Sequence, residues 1–193
     1  IVFGDWSSDV CSSDLIIAMV ALYRPGPMDI IPDYIKRMHG EQEVSYKHSL
    51  LEPIMGETFG YAIYQEQVMR AVMEMADYTP GEADQLRKVI SKKKVDELAE
   101  HHEKFVKGAI NKGIDRKIAD EIFTEWEGFA HYGFNKSHAA DYGIIAIQTA
   151  FLKHHYPLEF MAALLSQSKN DSGKVAFYIT DCQIGRASCR ERV

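Results

Sequence analysis

Apolar residues recur every three or four positions through the middle of this chain, and the pattern predicts a succession of helices from Ile16 onward. Arg24-Pro25-Gly26-Pro27 interrupts it, because each proline fixes its own φ and pushes the preceding residue out of the helical region. Apolar positions at 28, 30, 31, 34, 35 and 38 then predict a short helix over 28–39, stopped by Gly40. Residues 41–60 are polar and turn-rich around Pro53 and Gly56, and a helical pattern returns at about Gln65 and runs to Met75.

The later elements carry clearer punctuation. Thr79 followed three residues on by Glu82 is a capping-box pattern for a helix over 80–92, with Pro80 at its first position. Leu98, Phe105, Val106 and Ile110 share a stripe on a helix over 95–112, which Gly113 ends. Asp115 caps a further helix through Ile118, Ile122, Phe123 and Trp126. HYGFNKSHAADYG at 131–143 reads as a glycine-punctuated loop ahead of an apolar helix over 144–156. Pro157 opens a helix over 158–165, and 171–182 forms one more. There is no internal repeat and no low-complexity tract. The expected fold is mainly α, a single helical domain over 16–183.

Composition narrows the class without choosing a function. The 193 residues are 46% hydrophobic and 11% aromatic, which excludes a mainly disordered chain. The longest wholly apolar run, 15–22, is far too short for a membrane span, and no basic segment leads into an apolar stretch as a secretory signal would. The formal net charge of −6 does not advertise nucleic acid, but a sum over the chain says nothing of where the charges sit. Three cysteines, at 11, 182 and 189, lack CxxC spacing, which suits a reducing, cytoplasmic location.

Residues 1–15 (IVFGDWSSDVCSSDL) and 184–193 (IGRASCRERV) share none of this periodicity. They read as irregular, non-native-looking extensions and closely resemble translated sequencing-adapter read-through, which would remove Cys11 and Cys189 from consideration.

Two segments hold candidate chemistry. LRKVISKKK at 86–94 places five bases in nine residues with no acid among them. On a helix Arg87, Ser91 and Lys94 would share a face, with Lys88 and Lys92 beside it. Such a face suits phosphates; it equally suits a solvated helix end whose lysines favour the C-terminal dipole. The second segment crowds Tyr132, Phe134, Asn135, Lys136, Ser137 and His138 between flexible positions. Rings stack on bases, ammonium pairs with phosphate, and amide or imidazole bonds a sugar or base edge; a loop between helices with its aromatics in the core fits the same residues. The pairs 101–102 and 154–155 of histidines splay onto different helix faces, and HExxH, GxSxG, Walker A and GxGxxG motifs do not occur. No metal site is expected.

These segments resemble the bacterial replicative DNA polymerase III α subunits, the C-family DNA polymerases, over roughly residues 16–182. The resemblance rests on ALYRPGPM (21–28), IYQEQVM (63–69), GEADQLRKVISKKK (81–94), FAHYGFNKSHAADYG (129–143) and QTAFLKHHYPLEFMAALL (148–165), in the family's order and spacing. It implies a multi-helix fingers module that closes over the incoming deoxynucleoside triphosphate and the templating base. Arg87, Lys88, Lys92, Lys93 and Lys94 match the family's basic segment, commonly RRAMGKKK, with Ser91 in place of its glycine and Lys88 in place of its second arginine. Tyr132, Gly133, Phe134, Asn135, Lys136, Ser137 and His138 match the nucleotide-side motif. By that likeness Lys136 and His138 meet triphosphate or sugar, Tyr132 and Phe134 pack beside the base, and Arg24, Gln65 and Gln67 are template-side or structural groups.

The resemblance also implies Mg²⁺ held in the full-length polymerase by palm aspartates upstream of this chain, with none bound by its own residues. Template-primer DNA, dNTP and other replicase subunits including the sliding clamp are the implied partners. The chain alone is then expected to be an inactive internal fragment. The competing expectation is a non-catalytic helical module whose basic face meets an acidic partner protein. Arg87 and Lys92–Lys94 converging on 132–138 would favour the first; opposite sides of the fold would favour the second.

Overall fold

The computed structural model describes residues 12–92, 94–130 and 133–190. Among them every regular element is helical: α1 (Ser12–Leu22), α2 (Ile31–Met38), α3 (Glu52–Met55), α4 (Gln65–Ala76), α5 (Pro80–Lys92), α6 (Val95–Asn111), α7 (Arg116–Ala130), α8 (Lys136–His155), α9 (Pro157–Gln167) and α10 (Ser172–Arg190). Short 3-10 turns lie at Pro27–Ile30, Ser49–Leu51 and Gly56–Thr58. One isolated parallel bridge joins Tyr64 to Phe134.

The local stop and start signals act as their chemistry dictates. Thr79 N–H donates to Glu82 Oε2 at 2.9 Å while Glu82 N–H donates to Thr79 Oγ1 at 3.3 Å, closing the capping box of α5. Gly113 ends α6 at φ 82°, a left-handed conformation that a side chain disfavours. Asp115 Oδ1 accepts from Lys117 N–H at 2.8 Å and satisfies the first turn of α7.

Val68, Ala71, Val72, Met75 and Ala76 make one buried stripe on α4, against which α5 and α6 pack. Phe105 on α6 meets Phe123 and Trp126 on α7, each at a ring separation of 5.4 Å. At Gly108 the backbones of α6 and α4 come so close that a β-carbon would stand 2.5 Å from the Ala76 carbonyl oxygen. A second, smaller apolar cluster gathers Ala18, Ala21 and Leu22 of α1, Tyr34 of α2, Ile63, Tyr64 and Ala139 of α8.

Contacts fall into two units, one ending at Gly143 and one beginning at Ile144. The first unit holds both apolar clusters. The second contains the rest of α8, α9 and α10, with Met161 its one buried apolar side chain among the described residues and Lys153 paired to Asp181 at 2.8 Å.

Other local expectations change. Residues 41–60 are not simply turn: 3-10 turns and α3 bury Leu51, Ile54, Met55 and Thr58 against the bundle. Ile110 is 43% exposed, with Ala109 taking the buried position, because α6 turns its small residues toward α4. The segment 131–143 is not a loop throughout, since α8 begins at Lys136. Helix α1 starts at Ser12 and α10 continues to Arg190, so helical backbone enters both segments expected to be irregular. Residues 1–11 and 191–193 lie outside the described residues.

Candidate functional site

The chain at 63–67 grips the segment 133–136 through backbone and side chain together. Phe134 N–H donates to the Ile63 carbonyl at 3.1 Å, and Gln65 N–H donates to the Phe134 carbonyl at 2.9 Å. Gln65 Nε2 then reaches the Gly133 carbonyl at 3.0 Å and Ser91 Oγ, on α5, at 3.3 Å. Gln67 instead turns inward: its Oε1 accepts from Tyr64 N–H, and its Nε2 donates to Thr58 Oγ1 at 2.7 Å and to the Ile54 carbonyl at 3.2 Å. It is buried and structural. Arg24 lies over the Phe134 ring, 4.4 Å from its centroid, and donates to the Ala21 carbonyl.

Asn135 starts α8. Its Oδ1 accepts from His138 N–H at 2.8 Å and from Ser137 Oγ at 3.1 Å, meeting an otherwise unpaired first-turn donor. Its Nδ2 donates to Glu66 Oε1 at 2.8 Å, while Glu66 Oε2 accepts from Lys136 N–H at 3.0 Å. The Lys136 ammonium pairs with Glu57 Oε2 at 2.6 Å and sits 5.4 Å from the Tyr64 ring centroid. The exposed His138 ring packs between Phe134 and Tyr142, at 5.6 and 4.7 Å. Burial, reinforced by Glu57 and Asp14, pushes the Tyr34 phenol up to about 12, and burial raises that of Tyr64 too. Both stay neutral and serve as packing.

The basic segment divides in two. Asp84, one turn upstream, accepts Arg87 at 2.7 Å and Lys88 at 2.7 Å, and those hydrogen bonds hold its carboxyl below the usual range. Arg87 lines a shallow depression with Gln65, Leu86, Ile90 and Gly133. Lys88, Lys92 and Lys94 line a different groove of about 540 Å³ between α5 and α6, shared with Glu97, Glu100 and Lys104. The single helix face expected for Arg87, Ser91 and Lys94 does not form. Helix α5 ends at Lys92, and Lys94 is extended at φ −86°, ψ 90°, ahead of α6, with its ammonium on Glu97. The break lets α6 fold back and bury Phe105; packing outweighs a locally continuous helix. Lys93 and Tyr132 lie outside the described residues.

Ser91 thus reaches the 133–136 segment through Gln65, and Arg87 lines a depression with Gly133, whereas Lys92 and Lys94 line the other groove. Sequence reasoning passed over three acids of the site. Asp84 was legible, three and four residues before its bases. Glu57 and Glu66 were not, since their partners lie 79, 69 and 70 residues away. Glu57, Glu66 and Asp84 are spent on N–H donors, and among the described residues no three potential metal ligands group together.

The sequence model for the bacterial DNA polymerase III alpha subunit finger domain matches residues 11–113, which take in α1 to α6. The chain belongs to that finger-domain family. The chain is 51% identical over 173 residues to a DNA polymerase III subunit alpha of Thermus aquaticus, covering 87% of this chain and 14% of the relative. It is 51% identical over 168 residues to that of Neisseria meningitidis serogroup A, covering 87% and 15%. The Chlamydia pneumoniae relative is 50% identical over 168 residues, covering 87% and 14%. The chain therefore spans about a seventh of the length of these relatives. A stretch covering 87% of the chain necessarily takes in residues 133–138, beyond the end of the family match.

Proposed function

We propose that this finger domain holds the incoming dNTP, and the template-primer DNA beside it, for template-directed synthesis by a full-length DNA polymerase III α subunit in the cytoplasm. The observation that supports this reading is Gln65, whose side-chain amide meets both the Gly133 carbonyl and Ser91 Oγ and so joins the 133–136 segment to α5, the helix that carries Arg87. Lys136 and Arg87 are the phosphate-facing cations. Each is paired with a surface carboxylate, and exposed pairs of that kind are worth only about 0–1 kcal/mol, so a triphosphate can take their place. Phe134, with Tyr132, packs beside the base; Ser137 and His138 meet sugar or base edge. Asn135 contributes through its cap, which fixes where Lys136 points. Gln65 positions the segment, and Arg24 steadies Phe134. Lys88, Lys92, Lys93 and Lys94 serve the DNA backbone.

In this reading the Mg²⁺ that assists transfer is held by a palm elsewhere in the full-length subunit, and the chain alone incorporates no nucleotide. The sliding clamp and other replicase subunits are partners of the whole. No helix among the described residues is long and apolar enough to cross a membrane. One observation favours a second reading, a helical module for an acidic partner: Lys88, Lys92 and Lys94 line a groove that does not include Gly133. The readings separate in a full-length subunit carrying this domain. Lys136→Ala raises the KM for dNTP about tenfold, the loss of one charge-assisted phosphate contact, and leaves the Kd for primer-template nearly unchanged. Equal loss in both constants, or in neither, overturns the assignment.

A further inference from the structure

Two carboxylates from different elements meet Lys136, and they do so in different ways. Glu66, in the first turn of α4, touches the Asn135 amide and the Lys136 backbone N–H with separate oxygens; the pairing recorded for the ammonium is with Glu57. Among the described residues Glu57 makes one ion pair, with the ammonium, and both partners are well exposed, at 48% and 40%. Glu57 is nevertheless not placed at random. The turn Gly56–Thr58 that carries it is fixed by the buried Thr58 hydroxyl, which bonds the Met55 carbonyl and accepts from Gln67. Gln67 in turn belongs to the same 63–67 stretch that grips the 133–136 segment. One buried network therefore sets both carboxylates against one lysine.

Resting on the proposed nucleotide role of Lys136, we propose that the two act in opposite senses: Glu66 positions the lysine for a triphosphate, and Glu57 occupies its ammonium until the triphosphate displaces it. A bidentate contact to backbone and amide gives rigidity and leaves the ammonium for a ligand. A single exposed contact gives little stability, and a triphosphate carrying several negative charges outcompetes one carboxylate. Removing Glu57 leaves the lysine stem where Tyr64 and Glu66 hold it. Removing the charge of Glu66 loosens the start of α8 at Asn135 and Lys136, because a glutamine oxygen accepts one of the two N–H groups and its amide cannot accept the other.

The test uses the full-length subunit carrying this domain, with steady-state KM for dATP and Kd for primer-template read for Glu57→Gln, Glu66→Gln and Lys136→Ala. The expected result is a KM lowered about threefold by Glu57→Gln, an advantage that shrinks as salt rises. Glu66→Gln raises KM about fivefold at unchanged DNA affinity. Should Glu66→Gln fail to fold, Glu57→Gln carries the test, since it removes only an exposed pair. A Glu57→Gln KM that rises or does not move overturns the proposal, as do two glutamine variants that shift the same way. If Lys136→Ala itself leaves KM unmoved, the nucleotide reading fails, and this proposal falls with it.

Discussion

Phe105 and Phe177 sit on helices of similar length, 17 residues in α6 and 19 in α10, yet Phe105 is fully buried and Phe177 is 67% exposed. The contrast extends to their surroundings. Helix α6 repeats its apolar residues at helical spacing and lies between α4, α5 and α7, each of which presents a matching stripe. In the second unit the apolar residues run around the helix: Ile144, Ile145, Ile147, Phe151 and Leu152 of α8 are all exposed, as is Leu158 of α9. A helix with apolar residues on every side cannot satisfy them with one neighbour. Buried apolar packing in this chain therefore resides mainly in the first unit, in the α4 to α7 cluster and the smaller cluster that holds Ile63, Tyr64 and Phe134, and the candidate site is built on that unit.

Three measurements press on this contrast. Phe105→Ala should cost about 3–5 kcal/mol in urea unfolding, the range for emptying a packed aromatic site, whereas Phe177→Ala should change stability by less than about 0.5 kcal/mol. Comparable losses for the two would break the comparison. Gly108→Ala should destabilise by about 3 kcal/mol, because the added carbon meets the backbone of Ala76, which cannot move without separating α4 from α6. A neutral result would mean the crossing is loose.

The smallest effect is a pH dependence at the start of α5. Hydrogen bonds from Lys104 and from Thr79 hold the Glu82 carboxyl down to about 2, against an ordinary 4.5. A depressed carboxylate stabilises the folded state above its unfolded pKa, and that contribution is lost as pH falls from about 4.5 toward 2. The urea midpoint of the wild-type chain should accordingly fall more steeply over this window than that of Glu82→Gln. Parallel curves would remove Glu82 from the account.

What could be read from the residues in order was whatever acts within one helical turn. Thr79 and Glu82, Gly113, Asp115 and Pro157 each meet partners or constraints a few residues away, and each element began or ended where those residues stand. The same logic misplaced Lys94 and Ile110. Their local pattern continues a helix or a stripe, and only the demand that Phe105 and Ala109 face the bundle decides otherwise. Glycine and aromatic residues punctuate 133–138 and by themselves predict a loop. Asn135 starts a helix there once Glu66, from α4, secures Asn135 and the Lys136 N–H.

By itself the sequence determined a helical class, the caps and breaks of α5, α6, α7 and α9, and motifs in the order of a polymerase family, since those depend on spacing and on hydrogen bonds over three or four residues. The tertiary structure alone decided that the basic run splits between two surfaces, that Gln65 joins α5 to the 133–136 segment, and that Glu57 and Glu66 share Lys136. Those contacts connect residues 26 to 79 positions apart. No local preference encodes them; they exist because burying the two apolar clusters of the first unit brings distant polar side chains within bonding distance of one another.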